Sequence, residues 1–417
     1  MNWFVARAPG RLDVMGGIAD YSGARVLELP LACATTAIVQ RQTDRHCDIA
    51  THRGRHRDRF SIDLPLAEPD ELASWFEQHP DERWAGYVVG VVQALLARSG
   101  VAGGLKIQID SSVPEGRGVA SSAALEVATA FAVAATCELE MTPEALAVLC
   151  QRVENDVVGA PCGIMDQMTS ACGKQDRLLQ LRCQPGTIEA FLEVPAGYRF
   201  YGIDSGISHA VSGADYGTVR TAAFMGLRIL NTDTAWRGQY LANLAPAEFH
   251  RLAPALPDEM TGADFIARYG SIADSATKVI PERRYPVRQA ARHPVEEQAR
   301  VDRFAELLGA LGDKPKVAME LGELMYGSHA SYSACGLASD GTDRLVELVR
   351  AAGPSRGLFG AKITGGGSGG TVAVLGRSDA EPTVRELAAR YGAETGRETH
   401  VFTQSGPGAA EAGVLRR

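Results

Sequence analysis

The chain has 417 residues, a formal net charge of −8, 45% hydrophobic residues and 22% charged residues. That is enough apolar material for more than one core, and an acidic balance excludes nucleic acid as the main partner, because a phosphate backbone demands a basic footprint. The most apolar stretches, Val88 to Ala97 and Ala123 to Cys137, fall short of the roughly 18 residues a membrane helix needs, and Met1 to Ala8 holds no apolar signal core.

Residues 1–50 read as a strand, a glycine-rich turn and further β-structure. Phe4-Val5-Ala6 enters the turn Pro9-Gly10-Arg11, and Leu27 to Leu31 and Thr36 to Gln40 are apolar and β-branched. Residues 71–99 read as helical, with the apolar run Tyr87 to Leu96. Leu105 to Ile109 alternates as a short strand, followed by the loop Pro114 to Gly118 and a helix from about Ser121. Thr142-Pro143 is a helix start, with Thr as cap and Pro in the first turn. That helix runs to about Val158, and a second apolar–polar pattern spans Cys162 to Gly173. Val194-Pro195 marks the division into two units, 1–194 and 195–417. The second unit reads as α+β, with a strand near Phe200 to Ile203 and helices at 217–230, 296–312, 315–331 and 341–352. Residues 232–290 lack clear periodicity and read as insertion loops, and the last dozen residues as a mobile tail. The eight cysteines form no CxxC pair, so they read as reduced, mostly buried thiols of a cytoplasmic protein.

Three glycine-rich segments carry chemistry. In the first, Ala8 to Gly23, Arg11 and Asp20 flank a turn. Arginine offers a rigid fork of donors and aspartate accepts from sugar hydroxyls; taken alone, a surface turn with an ion pair is the better reading. The second, Pro114 to Ala124, is a Gly-rich loop that opens a helix on Ser121 and Ser122. Free N–H groups at a helix start bind phosphate oxygens, and the two hydroxyls suit either helix capping or a phosphate-bound Mg²⁺. The third, Lys362 to Val374, holds five glycines in six positions before a strand, which calls for close approach of another backbone. A Rossmann turn would lead into a helix, and no GxxxxGK[ST] is present, so both alternatives fail. An acidic pair completes the set. Glu154 alone suits a solvated helix face, whereas Asp166 amid Ile164, Met165 and Met168 is expected to be partly buried and to need a partner, for which Arg11 is the candidate.

Together and in this order, the segments resemble the three motifs of the GHMP small-molecule kinases. Within that family, Cys162-Gly-Ile-Met-Asp166-Gln, Asp204-Ser-Gly-Ile-Ser-His209 with Tyr216, and Gly322 to His329 resemble galactokinases. One run departs from them: Met15-Gly-Gly-Ile-Ala-Asp-Tyr-Ser-Gly23 has Gly17-Ile18 where galactokinases carry a Glu-His pair, and is similar to L-arabinokinases. Plant members of that group carry a long segment before motif one, where this sequence begins.

The resemblance implies an α+β, two-lobed GHMP kinase: an N-terminal ribosomal S5 domain 2-like domain and a C-terminal ferredoxin-like domain, with ATP between them. It implies that Gly116, Gly118, Val119, Ala120, Ser121, Ser122 and Ala123 wrap the phosphates. Ser121 or Ser122 would hold Mg²⁺ together with Glu154 in a hard oxygen shell. Asp166 would accept or orient the anomeric proton, and Arg11 would pair with it and stabilise transition-state charge. Asp20, Gly163 and Tyr216 would hold the ring hydroxyls. In galactokinases the Glu-His pair meets the 6-hydroxyl of galactose, the arm that L-arabinopyranose lacks. Ile18 would occupy that space and Gly17 would leave room. The expected activity is ATP-dependent phosphorylation of L-arabinose at its anomeric hydroxyl. The alternatives are a galactokinase, another anomeric sugar kinase, or a non-catalytic sugar sensor. The expected partners are a small sugar and ATP, with neither nucleic acid nor membrane; nothing in the sequence indicates an oligomeric state.

Overall fold

The computed structural model describes residues 2–53, 56–63, 69–100, 103–208, 214–312 and 314–417. The first sheet is built on two long strands, β1 (Phe4–Met15) and β2 (Arg25–Gln42), which pair antiparallel around a 3-10 turn at Gly17–Ser22. Beyond β2 the order continues through β5 (Gly104–Ser111), β3 (His46–Arg53) and β4 (His56–Asp63), with β3 and β5 parallel. The N-terminal half of β2 pairs instead with β6 (Arg177–Arg182), which carries β7 (Thr187–Glu193). The helices that follow in this half are α1 (Pro69–Gln78), α2 (Arg83–Ser99), α3 (Ser121–Thr136), α4 (Pro143–Asp156) and α5 (Met165–Cys172). Helix α3 is Ala-rich and buried on nearly every side. Its small side chains let β1, β2, α2 and α4 approach its axis closely, and Thr142 caps α4 by accepting from the Ala145 N–H at 3.2 Å, as its sequence predicts.

The second sheet is fully antiparallel, in the order β11 (Leu358–Ile363), β12 (Thr371–Arg377), β8 (Tyr198–Asp204), β13 (Val401–Phe402). Helices α10 (Pro315–Ala334), α11 (Asp340–Ala352) and α12 (Glu381–Thr395) pack on it. Helix α9 (Val287–Gly309) lies against α6 (Ala214–Asp233) and reaches back to the 3-10 turn of the first sheet. One apolar cluster joins the two sheets, with Leu12, Met15 and Leu29 meeting Phe200, Phe304, Met325 and Phe359.

Two regions differ from the sequence reading. Residues 232–290 are largely ordered structure: α7 (Pro246–Leu252), α8 (Gly262–Tyr269) and a small ladder of β9 (Met260–Thr261) with β10 (Arg284–Tyr285). Phe249, Leu256, Phe265 and Tyr285 bury against α6 and α9. These elements are one or two turns long, too short to display a period in sequence. The C-terminal residues are not a loose tail. Helix α13 (Ala409–Ala412) packs on β1 and α5, and β14 (Leu415–Arg416) extends the first sheet by pairing with Phe4 and Val5. Six residues separate β13 from α13 with no hydrophobic run, so composition alone hides this return. Among the described residues all eight cysteines are free thiols and six are buried, and no helix is long and apolar enough to cross a membrane.

Candidate active site

A cavity of about 550 Å³ opens where the start of α3, the start of α5, the 3-10 turn and α6 converge. Arg11, Ile18, Asp20, Gly116, Gly118, Ala120, Ser121, Ser122, Glu154, Gly163, Asp166 and Tyr216 all line it. Val119 and Ala123 do not. They are buried behind the loop, where Val119 turns its carbonyl to the Arg11 N–H at 3.0 Å.

The centre is an ion pair. Arg11 projects from β1 and grips Asp166 with two parallel bonds, Nε to Oδ1 at 2.8 Å and Nη2 to Oδ2 at 3.0 Å. Its third nitrogen, Nη1, donates to the Gly118 carbonyl at 2.6 Å. The motif-one arginine thereby fixes both the carboxylate at the start of α5 and the loop before α3. Arg11 is 3% exposed in this pair and Asp166 21%, so the carboxylate keeps a face to the cavity. Burial works against the guanidinium charge, but Asp166, Glu28 and Asp13 outweigh it and raise the Arg11 pKa above its ordinary value. Glu28 lies 3.5 Å from Arg11 Nε, and burial lifts its own pKa well above the carboxylate range.

The motif-two loop is held from behind. Gly116 and Gly118 take left-handed backbone, and so does Ala120 at φ 59°. Ala120, not a serine, is the residue before α3, and no side chain caps the helix. The left-handed turn carries Ser121 and Ser122 past the capping position into the first helical turn. Of the two uses open to them in sequence, capping is therefore not the one seen, and the leading N–H groups are left for an anion. Motif three supplies the support by close approach. A Cβ on Gly365 would lie 2.9 Å from the Gly118 carbonyl, and one on Gly370 would lie 2.8 Å from the Arg117 carbonyl.

Glu154 is not on a solvated face; it is 6% exposed and lines the cavity. The Gln167 amide donates to Glu154 Oε2 at 2.6 Å and to Glu126 Oε2 at 3.2 Å, bridging two buried carboxylates. Burial, with the Asp166 charge, lifts Glu154 to about 7 against hydrogen bonds from Ser122 and Gln167. Among the described residues no group of three or more His, Cys, Asp or Glu could hold a metal by itself. The donor set present, one carboxylate and a serine hydroxyl, fits a magnesium ion whose remaining ligands are water and phosphate oxygens.

On the far side lies Asp20. Gly163 is the reason it fits: a Cβ there would sit 1.7 Å from Asp20 Oδ2. Burial and the neighbouring Asp166 push Asp20 up to about 7. Ile18 is buried and faces the cavity, its N–H donating to the Tyr332 hydroxyl at 2.8 Å. Gly17 contradicts the expectation that it leaves room beside the substrate. It does not line the cavity, its φ is +45°, and a Cβ there would meet the Tyr332 hydroxyl at 1.7 Å and Asp13 Oδ2 at 2.6 Å. His209, named with the Asp204 segment, lies outside the described residues.

The chain matches the models described as GHMP kinases N terminal domain over residues 86–174 and GHMP kinases C terminal over 307–393. It is 31% identical to a galactokinase of Chloroflexus aurantiacus, over 94% of this chain and 89% of that protein. The chain belongs to the GHMP kinase family. It is also 40% identical to the L-arabinokinase of Arabidopsis thaliana, over all of this chain but 47% of that protein, and so spans about half of that relative's length. Lactococcus lactis galactokinase, solved with galactose, has the same fold, with a TM-score of 0.77 at 21% identity over 99% of this chain and 95% of that one. The mevalonate kinase of L. major, solved with R-mevalonate, shares it more distantly, with a TM-score of 0.58 at 17% identity over 97% of each chain. This is the GHMP kinase fold, as the resemblance implies.

Several site residues escape the sequence reading. Trp84, Tyr87, Leu125, Ile109 and Pro161 line an aromatic and apolar arm of the cavity beyond the motif-two loop. Trp84 and Tyr87 stand three apart at the start of α2, a signal that was there to read but merges with the apolar run that follows. Lys362 donates to Asp13 Oδ2 at 2.6 Å with both side chains wholly buried. That pair ties motif three to motif one across 349 positions, and no local pattern announces it.

Proposed function

We propose that this protein is an ATP-dependent sugar-1-kinase with L-arabinose as its preferred acceptor, yielding β-L-arabinose 1-phosphate and ADP. The observation that carries the kinase reading is the two-bond Arg11–Asp166 pair, facing one cavity with the uncapped start of α3 on one side and Asp20 with Tyr216 on the other. The aromatic wall at Trp84 and Tyr87 suits a purine, and on this reading the triphosphate would run along Gly116 to Ser122 with the acceptor between Asp166 and Asp20. Glu154 with Ser121 or Ser122 would hold Mg²⁺, which supplies charge neutralisation on the phosphate oxygens.

Phosphoryl transfer is largely positioning and charge stabilisation. Asp166, oriented by Arg11, accepts or orients the anomeric hydroxyl's proton as the oxygen attacks the terminal phosphorus, and the Arg11 guanidinium lies close to the charge that develops. Asp20 accepts from ring hydroxyls, and Tyr216 closes the same wall. The preference for arabinose rests on Ile18. An apolar side chain at this wall leaves a 6-hydroxyl without a partner, which costs roughly 1–3 kcal/mol. Identity to the Arabidopsis protein supports the same choice.

Coupled ADP release measured with arabinose, galactose, fucose, galacturonate and glucuronate tests both levels. Arabinose is expected to give the highest kcat/KM. Preference for galactose would overturn the arabinose assignment alone, and turnover of no sugar would overturn the kinase reading.

A further inference from the structure

Among the described residues two buried polar atoms of opposite charge, Asp20 Oδ1 and Arg220 Nη1, have no well-formed hydrogen bond, although Arg220 lies close to the Tyr216 hydroxyl. Arg220 stands one turn after Tyr216 on α6 and is 6% exposed. It does not line the cavity; Asp20 and Tyr216 do. Its other two nitrogens are committed elsewhere, Nε and Nη2 donating to the two oxygens of Asp274 at 2.8 Å each. Asp274 is itself fixed by the Thr277 hydroxyl at 2.6 Å and the Ala276 N–H at 3.3 Å. The guanidinium rests 5.6 Å from the ring centre of Tyr21, the residue next to Asp20, and 5.9 Å from that of Phe224.

Asp20 and Asp166 are two carboxylates facing one cavity, and like charges so placed disfavour joint ionisation. Asp166 is compensated by direct contact with Arg11, whereas Asp20 has no such contact. We propose that Arg220, anchored by Asp274, is a positioning residue for the sugar site: its charge, held against the ring of Tyr21, the residue next to Asp20, keeps the Asp20 side chain an ionised acceptor for the sugar's hydroxyls beside Asp166. This rests on the sugar-kinase reading above. The energetics agree in direction, since burial and then Asp166 push Asp20 up to about 7 and Arg220 opposes them. The other titratable groups that the Asp20 charge reaches are Tyr21, Tyr216 on α6, Tyr332 on α10 and Cys183, all pushed well above their ordinary values by burial and so uncharged. Helix α9 and strand β2 also pack on this turn; their nearby titratable groups are Glu297, bonded to the Gly16 N–H, His293, bonded to Ser331, and Glu28 beside Arg11.

The sign follows. Asp20 is raised above its ordinary value, so its carboxylate is present above pH 7 or so and lost as pH falls through it. The pH profile of kcat/KM for the sugar reports this group in the free enzyme. Measured on the full chain at saturating ATP and Mg²⁺, so that Glu154 is not read, wild type should show an acid limb near neutrality. Arg220→Gln should move that limb to higher pH by about one unit and raise the sugar KM by about fivefold at neutral pH, leaving the KM for ATP unchanged. Arg220→Lys should restore most of the difference. Asp274→Asn, which leaves the arginine charge uncompensated, should move the limb the opposite way. Should Arg220→Gln fail to fold, Arg220→Gln with Asp274→Asn removes both buried charges and should keep a smaller alkaline shift. An unmoved limb in a folded variant lacking Arg220, or sugar and ATP KM values rising together, overturns the proposal. A wild type that phosphorylates no sugar overturns the reading beneath it; an active wild type with unmoved variants overturns only the role of Arg220.

Discussion

Asp166 and Asp20 face the same cavity, the first at the proposed reaction end and the second at the proposed acceptor end, and the two ends are built in opposite ways. At the reaction end Arg11 binds Asp166 through two of its nitrogens and the phosphate loop through the third, so carboxylate, loop and strand β1 form one unit. At the acceptor end Arg220 binds Asp274 and reaches Asp20 only through space, leaving one oxygen of Asp20 without a partner. A group that must keep one geometry through a proton shift gains from direct contacts. A group that must receive several hydroxyls of an incoming ligand gains from lone pairs left open.

The sharpest way to break this comparison is at the reaction end. Asp166→Asn keeps the shape but not the charge, and turnover is expected to fall by about 10²–10⁴-fold with the melting temperature little changed. Arg11→Ala is expected to match it in rate and to lose stability as well, because Asp166 and Glu28 would lose their shared cation. A folded Asp166→Asn enzyme with near-normal kcat would remove the distinction between the two ends.

Glu154 offers a second test, through pH. Burial and Asp166 raise it to about 7, so a proton competes with any cation it binds, and that competition grows as pH falls through 7. The Mg²⁺ concentration giving half-maximal rate should therefore rise toward acid pH in the wild type. In Glu154→Gln it should be higher by about tenfold throughout and nearly flat with pH, since the carboxylate ligand is gone. Titrations of rate against Mg²⁺ at three pH values decide it; an unchanged requirement in the variant would deny Glu154 a part in holding the metal.

The reaction end was legible in sequence and the acceptor end only in part. Arg11, Asp166 and the glycines of motifs two and three stand in short runs whose chemistry is local: an arginine after a turn, a carboxylate among apolar residues, glycines before a helix start. The structure brings Arg11 to Asp166 as a buried carboxylate in need of a partner demands. What sequence could not show depends on contacts between distant positions or on backbone angles. Arg220 stands on a helix that the sequence does show, but its partner Asp274 lies 54 positions further on in a loop, where no period marks it. Gly17 looked like space left by a missing side chain, whereas its positive φ and the Tyr332 hydroxyl show that no space exists. For Ser121 and Ser122 the sequence left capping and metal binding open, because the left-handed turn at Ala120 that carries them past the capping position is invisible in composition.

The Gly17 result sharpens the substrate argument by placing sugar choice on Ile18 alone. The wild type is expected to favour arabinose over galactose by roughly ten- to a few hundredfold in kcat/KM. Ile18→His should narrow that gap by offering a partner to the extra hydroxyl, whereas any side chain at Gly17 should damage both activities through the clash with Tyr332 and Asp13. Parallel kinetics on the two sugars check this, and an equal loss on both from Ile18→His would mean that residue 18 supports the turn and does not read the arm.

The smallest expected effect tests how the acceptor end is held without a direct ion pair. The Tyr332 hydroxyl, wholly buried on α10, donates to the Gly365 carbonyl at 3.0 Å and accepts from the Ile18 N–H at 2.8 Å. It is thus a single atom joining motif three to the turn that carries Ile18 and Asp20. Tyr332→Phe removes that atom and leaves a buried N–H and a carbonyl without it, a stability loss of about 1–3 kcal/mol readable by denaturant unfolding. Because the turn lies on the sugar side, KM for the sugar should rise about three- to tenfold, an energy of roughly 0.7–1.4 kcal/mol in binding. KM for ATP should change less, since the motif-two loop is tied directly to Arg11 and reaches Tyr332 only through Gly365. A rise in both constants together would mean that the two ends move as one body, and the contrast between a contact-built end and a charge-balanced end would then describe the resting structure but not the working enzyme.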